Sequence, residues 1–173
     1  MNRLLTFSLS KNEIFNRIRL YTSYLAGKRA ETAVDYDRIA AIEPDRPLLD
    51  LLMEDSASDM ALRLADRVES FTVEGDVMTL RVVNPLEAIG GTPDLDLLYR
   101  TLHTHVVADT IFRWLTVAGF DFPEGAVTAR KAASDTASER MESLATLLKP
   151  VEPPATADPT PGRRARSRRV PPI

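Results

Sequence analysis

The only histidines of the chain, His103 and His105, are the first candidates for chemistry. They fall in a segment whose apolar spacing predicts a helix, where residues two apart point to nearly opposite sides. Two metal ligands on one helix need a spacing of three or four residues. The spacing therefore argues against a metal site built on both. We expect one histidine to pack inside the protein and the other to be solvated or at an interface.

Three carboxylates on the preceding predicted helix, Glu54, Asp55 and Asp59, include a spacing of four that brings two acids to one side. A di-iron site in a helical bundle also requires Glu-x-x-His motifs, and the sequence contains none. We interpret the three as a solvated acidic face. Such a face is also one that a basic tail of another subunit can use.

Other motifs give no better case for catalysis. The segment Gly90-Gly91-Thr92 lacks the GxxxxGK[ST] pattern of a phosphate loop and is interpreted as a hinge, and no serine lies in a GxSxG elbow. The chain has no cysteine, which excludes thiol catalysis, disulfides and cysteine-ligated zinc. Trp114 lies in an apolar segment and is expected in the core. We therefore expect no enzyme activity, no catalytic residue, no cofactor and no metal.

The elements that would position these residues centre on a helix, a hairpin and a second helix between Asp45 and Gly119. Asp45 and Pro47 mark the start of the first helix. The apolar spacing predicts that this helix extends over residues 47–69. Thr92 is the candidate cap of the second helix, which carries apolar residues on more than half of its circumference. This second helix is predicted to be the most buried element.

Residues 70–83 change to a period of two around Gly75-Asp76, which predicts a β-hairpin. With these two as turn residues, Val73 faces Met78 and Phe71 faces Leu80. Four residues then share an apolar face: Phe71, Val73, Met78 and Leu80. Because an isolated hairpin is marginal in water, this face must rest on the helices or on another subunit. We take it as a candidate oligomer contact.

Two further long helices and a short segment flank this centre. Ser8 or Ser10 caps a helix predicted over residues 11–29, and residues 36–40 predict a short helix or turn. A last helix is predicted over residues 124–149, after a loop whose aromatics, Phe120 and Phe122, anchor it to the core. Its apolar stripe contains Ala133, Ala137, Met141, Leu144 and Leu148. The fold class is therefore mainly α, a four-helix bundle-like domain over residues 1–149 with one inserted hairpin.

Residues 150–173 contain seven of the twelve prolines and form a disordered or extended C-terminal arm by composition. Five arginines against Glu152 and Asp158 give this arm a charge of +3, so the preceding part of the chain carries −6. The arginines are Arg163, Arg164, Arg166, Arg168 and Arg169. The arm is a solubilising tail, a segment that docks on an acidic protein surface, or a nucleic-acid contact.

Hydrophobic residues make up 44% of the chain, and no apolar run approaches membrane-spanning length. The N-terminal residues lack the pattern of a signal peptide. We expect a cytoplasmic protein that does not contact a membrane.

The order of elements resembles a known class of phage protein. It comprises EIFNRIRLYTSYLAGKR, the long helix PDRPLLDLLMEDSASDMALRL, the hairpin FTVEGDVMTLRVV and the tryptophan-containing VVADTIFRWLTVAG, ending in MESLATLLKP. Over residues 10–149 this order and apolar pattern is similar to the head-tail connector, or neck adaptor, proteins of tailed phages and prophages of Bacteroides-type bacteria.

The resemblance implies a structural virion protein that forms a homo-oligomeric ring between the portal and the tail. The hairpin, Thr72 to Thr79, would project toward a neighbour or the channel. Residues 150–173 would dock on the portal or on another neck or tail protein, using the five arginines with Val170 and Ile173. DNA would pass through the ring without specific binding. The location would be the virion neck, and the host cytoplasm during assembly. The alternative is a small helical nucleic-acid-binding or DNA-packaging accessory protein that uses the arginine-rich arm.

Overall fold

The computed structural model describes residues 4–29, 32–117 and 124–153. Its helices are α1 (Lys11–Arg29), α2 (Ala33–Ile39), α3 (Arg46–Arg63), α4 (Leu95–Val117) and α5 (Glu124–Leu147). Its strands are β1 (Leu4–Ser10), β2 (Val68–Glu74) and β3 (Val77–Val83), and short 3₁₀ turns lie at Glu43–Asp45 and Glu87–Ile89. The described chain is mostly helical with a small antiparallel sheet, which confirms the predicted mainly-α class.

The hairpin formed by β2 and β3 has the predicted register. Phe71 pairs with Leu80 and Val73 with Met78, and Gly75-Asp76 forms the turn. Gly75 has a φ of +58°, which an L side chain rarely adopts. Glycine at the first of two central turn positions suits the twist of an antiparallel hairpin.

The prediction of a two-stranded hairpin with no further strand was incomplete, because β1 adds a third strand in the order β1-β3-β2. Pairing along β1 runs from Leu4 opposite Val83 to Ser10 opposite Val77. The segment LLTFSLS alternates with period two, and its inward residues Phe7 and Leu9 are buried. It is amphipathic as a strand, and β3 gives its backbone a hydrogen-bonding partner.

The prediction that the first central helix reaches residue 69 was also wrong, because α3 ends at Arg63. A turn follows in which the amides of Arg67 and Val68 both donate to the carbonyl of Leu64. Val68 then pairs with Val82 in the sheet. Pairing in the sheet therefore outweighs the helical apolar spacing over these last residues.

Side chains near the predicted positions cap the starts of α1 and α4, whereas Asp45 makes no capping hydrogen bond to α3 and its Oδ2 instead accepts from the amide of Ile42 at 2.9 Å. Ser10 Oγ accepts a hydrogen bond from the amide of Glu13 at 3.3 Å, so Ser10 caps α1 while Ser8 lies inside the strand. Asp94, rather than the predicted Thr92, caps α4, because its Oδ1 accepts from the amide of Leu97 at 2.9 Å.

Helix α4 lies at the centre of the fold and packs against α1, α3 and α5. Trp114 is buried as predicted, and its Nε1 donates to the carbonyl of Ile39 at 3.0 Å. The predicted stripe of α5 is confirmed: Met141 is half-buried, and the buried members are Ala133, Ala137, Leu144 and Leu148. After α5 the chain returns to the loop that follows β3, where the amide of Val151 donates to the carbonyl of Pro85 at 3.0 Å.

Replacement of either of two glycines by alanine is expected to change the free energy of unfolding, in opposite directions for the two positions. Replacement Gly75→Ala is expected to lower the free energy of unfolding by about 1–2 kcal/mol, because positive φ is unfavourable for an L residue. The control Gly27→Ala, inside α1 with no atom within 4 Å of the added Cβ, is expected to raise it by about 0.5–1 kcal/mol. Urea unfolding measures both, and a stabilised Gly75→Ala protein would contradict the described turn.

Candidate functional site

The apolar face of the hairpin is largely buried inside the molecule. Met78 and Leu80 are buried in the core, and Phe71 is half-buried against it. Val73 is 36% exposed and is the one of the four that offers substantial surface. The face rests on the protein's own helices, which is one of the two arrangements that its pattern allowed.

The outer face of the sheet is rich in hydroxyl groups. One cross-strand row contains Ser8, Thr79 and Thr72, and the next contains Thr6 and Arg81 with Ser70. Arg81 forms an exposed ion pair with Glu69, Nε to Oε2, at 3.4 Å. The hairpin register predicts the pairs of Thr72 with Thr79 and of Ser70 with Arg81, which the structure confirms, but it missed Thr6 and Ser8, which β1 adds. The alternating hydroxyls of LLTFSLS were the signal that could have revealed that strand.

The expectation that one histidine is solvated or at an interface was wrong, because both are buried within the chain: His103 is 2% exposed and His105 is 4% exposed. His105 Nδ1 lies 2.8 Å from the carbonyl oxygen of Ala137 on α5. His103 points the other way, toward α1, where its Nε2 lies 3.5 Å from Glu13 Oε1. Opposite sides of α4 are both covered because helices pack against it on more than one side.

His103 belongs to a small polar cluster with Glu13, Arg17 and Tyr99. The Tyr99 hydroxyl donates to Glu13 Oε2 at 3.4 Å, and its ring centroid lies 5.9 Å from that of His103. Burial, followed by the charge of Glu13, raises the pKa of Tyr99. Burial, followed by the charge of Arg17, lowers the pKa of His103 despite Glu13. The ring is therefore held neutral, and its burial closes it to a substrate.

The three carboxylates of α3 do not form one site. Lys11 Nζ donates to Glu54 Oε1 at 2.8 Å, Arg113 donates to Asp59, and Asp55 is exposed. Within the described residues no group of three or more histidine, cysteine or carboxylate side chains is placed to hold a metal ion. The predicted solvated acidic face is thus reduced to Asp55, because basic residues of α1 and α4 bind its neighbours.

Arg113 links two helices through their carboxylates. Its Nε donates to Asp109 Oδ2 at 2.7 Å within α4, and its Nη2 donates to Asp59 of α3. Burial alone would lower the pKa of Arg113, but the hydrogen bonds and charges of Asp59 and Asp109 outweigh it and raise that pKa. The guanidinium therefore stays charged and holds α3 against α4.

Two long helices present apolar side chains outward as well as inward. Leu20 and Tyr24, four residues apart on α1, are each 69% exposed. Leu51 and Leu62, eleven residues apart on α3, are 60% and 70% exposed. Spacings of four and eleven return to the same helix side, so each pair lies on one face. We call the α1 pair the outer face of α1.

The predicted arm residues, from Arg163 to Ile173, and the loop aromatics, Phe120 and Phe122, lie outside the described residues. In the part of the chain that is described, none of the helices has the length and apolar character to cross a membrane. Comparisons with protein-family models, curated proteins and solved structures give no significant match.

The two histidines should make stability depend on pH. Their pKa values are lowered by folding, so the unfolded chain binds more protons once the pH falls below about 6.5. Their stabilising contribution is complete above that pH and is lost as the pH falls. We expect the free energy of unfolding, from urea titrations between pH 7.5 and pH 5, to decrease by up to about 1.4 kcal/mol per pH unit for each histidine.

Replacement His103→Phe keeps a ring beside Tyr99 and should remove one of these two titrations. His105→Asn, which retains a side-chain donor toward Ala137, should remove the other. A slope that neither replacement changes would contradict the assignment.

Arg113 provides a second test. Replacement Arg113→Met leaves two carboxylates without their partner and is expected to lower the free energy of unfolding by about 1–3 kcal/mol. The control Arg100→Met breaks an exposed ion pair with Asp96 and should cost less than about 0.5 kcal/mol. Thermal and urea unfolding compare the two, and equal losses would mean that Arg113 does not link α3 to α4.

Proposed function

We propose that this chain is a structural component of a phage neck, a head-tail connector that assembles as a homo-oligomeric ring between portal and tail. The observation that carries the proposal is the outward apolar surface of its long helices. Leu20 and Tyr24 on α1, with Leu51 and Leu62 on α3, are all at least 60% exposed. Apolar side chains that share an exposed helix face are typical of protein contacts. Burying them between subunits would contribute about 1.5–3 kcal/mol for each residue.

Three further features support an assembly role. The four long helices are proposed to act as a bundle-like body, with α4 central and residues 150–173 as a separate arm. The strands β1 and β2 are the two edges of the sheet, and such edges favour contact with a neighbouring chain. The charge of −6 on residues 1–149 repels phosphates, as suits a channel through which DNA passes without being held. No residue has a catalytic role in this proposal.

The partners follow from the same proposal. A ring contacts the portal on one side and a tail or neck protein on the other, and the arm supplies one of these contacts through its arginines, Val170 and Ile173. The protein would be in the host cytoplasm during assembly and in the virion neck afterwards.

The outer face of α1 gives the first test. Light scattering over a concentration series should find a discrete ring, and Leu20→Gln with Tyr24→Gln should raise the concentration needed for assembly at least tenfold. The control, Ser138→Gln with Arg140→Gln, changes two exposed polar positions on α5 and should leave assembly unchanged. A full-length chain that stays monomeric at all concentrations, alone and with a portal protein, would contradict the proposal.

Removal of residues 163–173 separates this function from its alternative. A connector lacking them should still form its ring but attach less well to the portal. A nucleic-acid-binding or packaging protein should instead bind DNA as the full chain, with affinity that falls as salt rises, and lose that binding on removal of the arginines.

A further inference from the structure

A groove lies between the start of α4 and the second half of α5. It has a volume of about 580 Å³ and is lined by Leu97, Glu139, Glu142, Ser143, Thr146 and Leu147. We call it the α4–α5 groove. Leu97 is 45% exposed and Leu147 is half-buried, so the groove offers apolar surface beside its two carboxylates. A segment that is both basic and apolar would match this lining.

The charge of the groove is not neutralised by its surroundings. Neither Glu139 nor Glu142 forms an ion pair within the described part of the chain, and no basic side chain lines the groove. Residues 163–173 carry five arginines, no acidic side chain, and the apolar residues Val170 and Ile173. Arginine binds carboxylates through a planar, often bidentate, guanidinium, and the charges of groove and arm are complementary.

The last described residues of the chain lie beside this groove. A second depression, of about 280 Å³, adjoins it by sharing Thr146 and Leu147, and Val151 lines that depression. Val151 is fixed there by its hydrogen bond to Pro85. Residues 154–162 can span about 30 Å when extended, whereas Leu147 and Glu139 are about 12 Å apart along α5. The linker is therefore long enough for the arm to return.

We propose that residues 163–173 dock in the α4–α5 groove of the same chain. The arginines bind Glu139 and Glu142, and Val170 and Ile173 cover Leu97 and Leu147. A short linker gives the arm an effective concentration in the millimolar range, so weak contacts are enough to keep it bound. This inference goes beyond the proposed ring and does not rest on it. A partner that takes the arm must compete with the groove.

The chain has no cysteine, so Ser167→Cys provides a single site for a nitroxide spin label on the full-length protein. In dilute, ¹⁵N-labelled protein the label should reduce the amide signals of Leu97, Ser143 and Leu147 at least twofold at low salt. Salt at 1 M, where the screening length is about 3 Å, should restore most of the signal.

Two double variants identify the carboxylates. Glu139→Gln with Glu142→Gln should restore the amide signals. The control, Asp37→Asn with Asp55→Asn, removes two exposed carboxylates elsewhere and should leave them reduced. Equal effects of the two variants would overturn the proposal.

A mixed sample identifies which chain supplies the arm. In it, some chains carry the spin label but no ¹⁵N, and the others carry ¹⁵N but no spin label. Loss of signal when the spin label and ¹⁵N are on the same chain, but not in the mixed sample, supports docking within one chain. Loss in the mixed sample as well would assign the groove to the arm of a second copy and overturn the proposal. Absence of any loss at low salt would overturn it too.

Discussion

The burial of α4 on most of its circumference is the constraint on which the rest of the structure depends. A helix that exposes so little of itself needs partners on several sides, and α1, α3 and α5 supply them. This arrangement places His103 against α1 and His105 against α5, and it draws Trp114 to the carbonyl of Ile39. The buried polar side chains of α4 are therefore hydrogen-bonded or, in the case of His103, held neutral inside the protein, rather than offered to a ligand.

The sheet packs its apolar face on the helical body and is also joined to it by polar contacts at its turn. Asp76 accepts a hydrogen bond from Ser10 Oγ at 2.8 Å and pairs with Arg46 at 3.2 Å, while its carbonyl accepts from the amide of Lys11 at 2.8 Å. Three elements thus meet at one aspartate: the end of β1, the start of α1 and the start of α3. The residue that completes the hairpin turn thus binds the starts of two helices.

Most of the helical elements and the hairpin register were predictable because their signals are local. Apolar spacing, Ser10 before α1, and glycine with aspartate between two alternating runs each act over a few residues. The strand β1 was missed because LLTFSLS is a strand only beside β3, almost seventy residues later. The end of α3 was misplaced for a similar reason, since Val68 gains its partner Val82 across the hairpin.

Prediction of the candidate sites was limited in the same way, because local signals do not show which distant side chains meet. The carboxylates of α3 look solvated in sequence, but Lys11 and Arg113 reach two of them from other helices. The apolar face of the hairpin was identified correctly as a surface to be buried, yet its pattern does not distinguish the protein's own helices from a neighbouring subunit. The α4–α5 groove depends on two helices that meet in space, so neither segment alone reveals it.

The pairing of Leu4 with Val83 and of Val151 with Pro85 has a consequence for the construction of variants. A single residue, Asn84, lies between Val83, which pairs with the first described residue, and Pro85, which binds Val151 just after α5. Both ends of the described chain therefore leave the molecule on one side, and the Gly75-Asp76 turn lies at the opposite end of the sheet. A short peptide joining the two ends would therefore close the chain on the side away from the turn and leave the contacts of Asp76 unchanged.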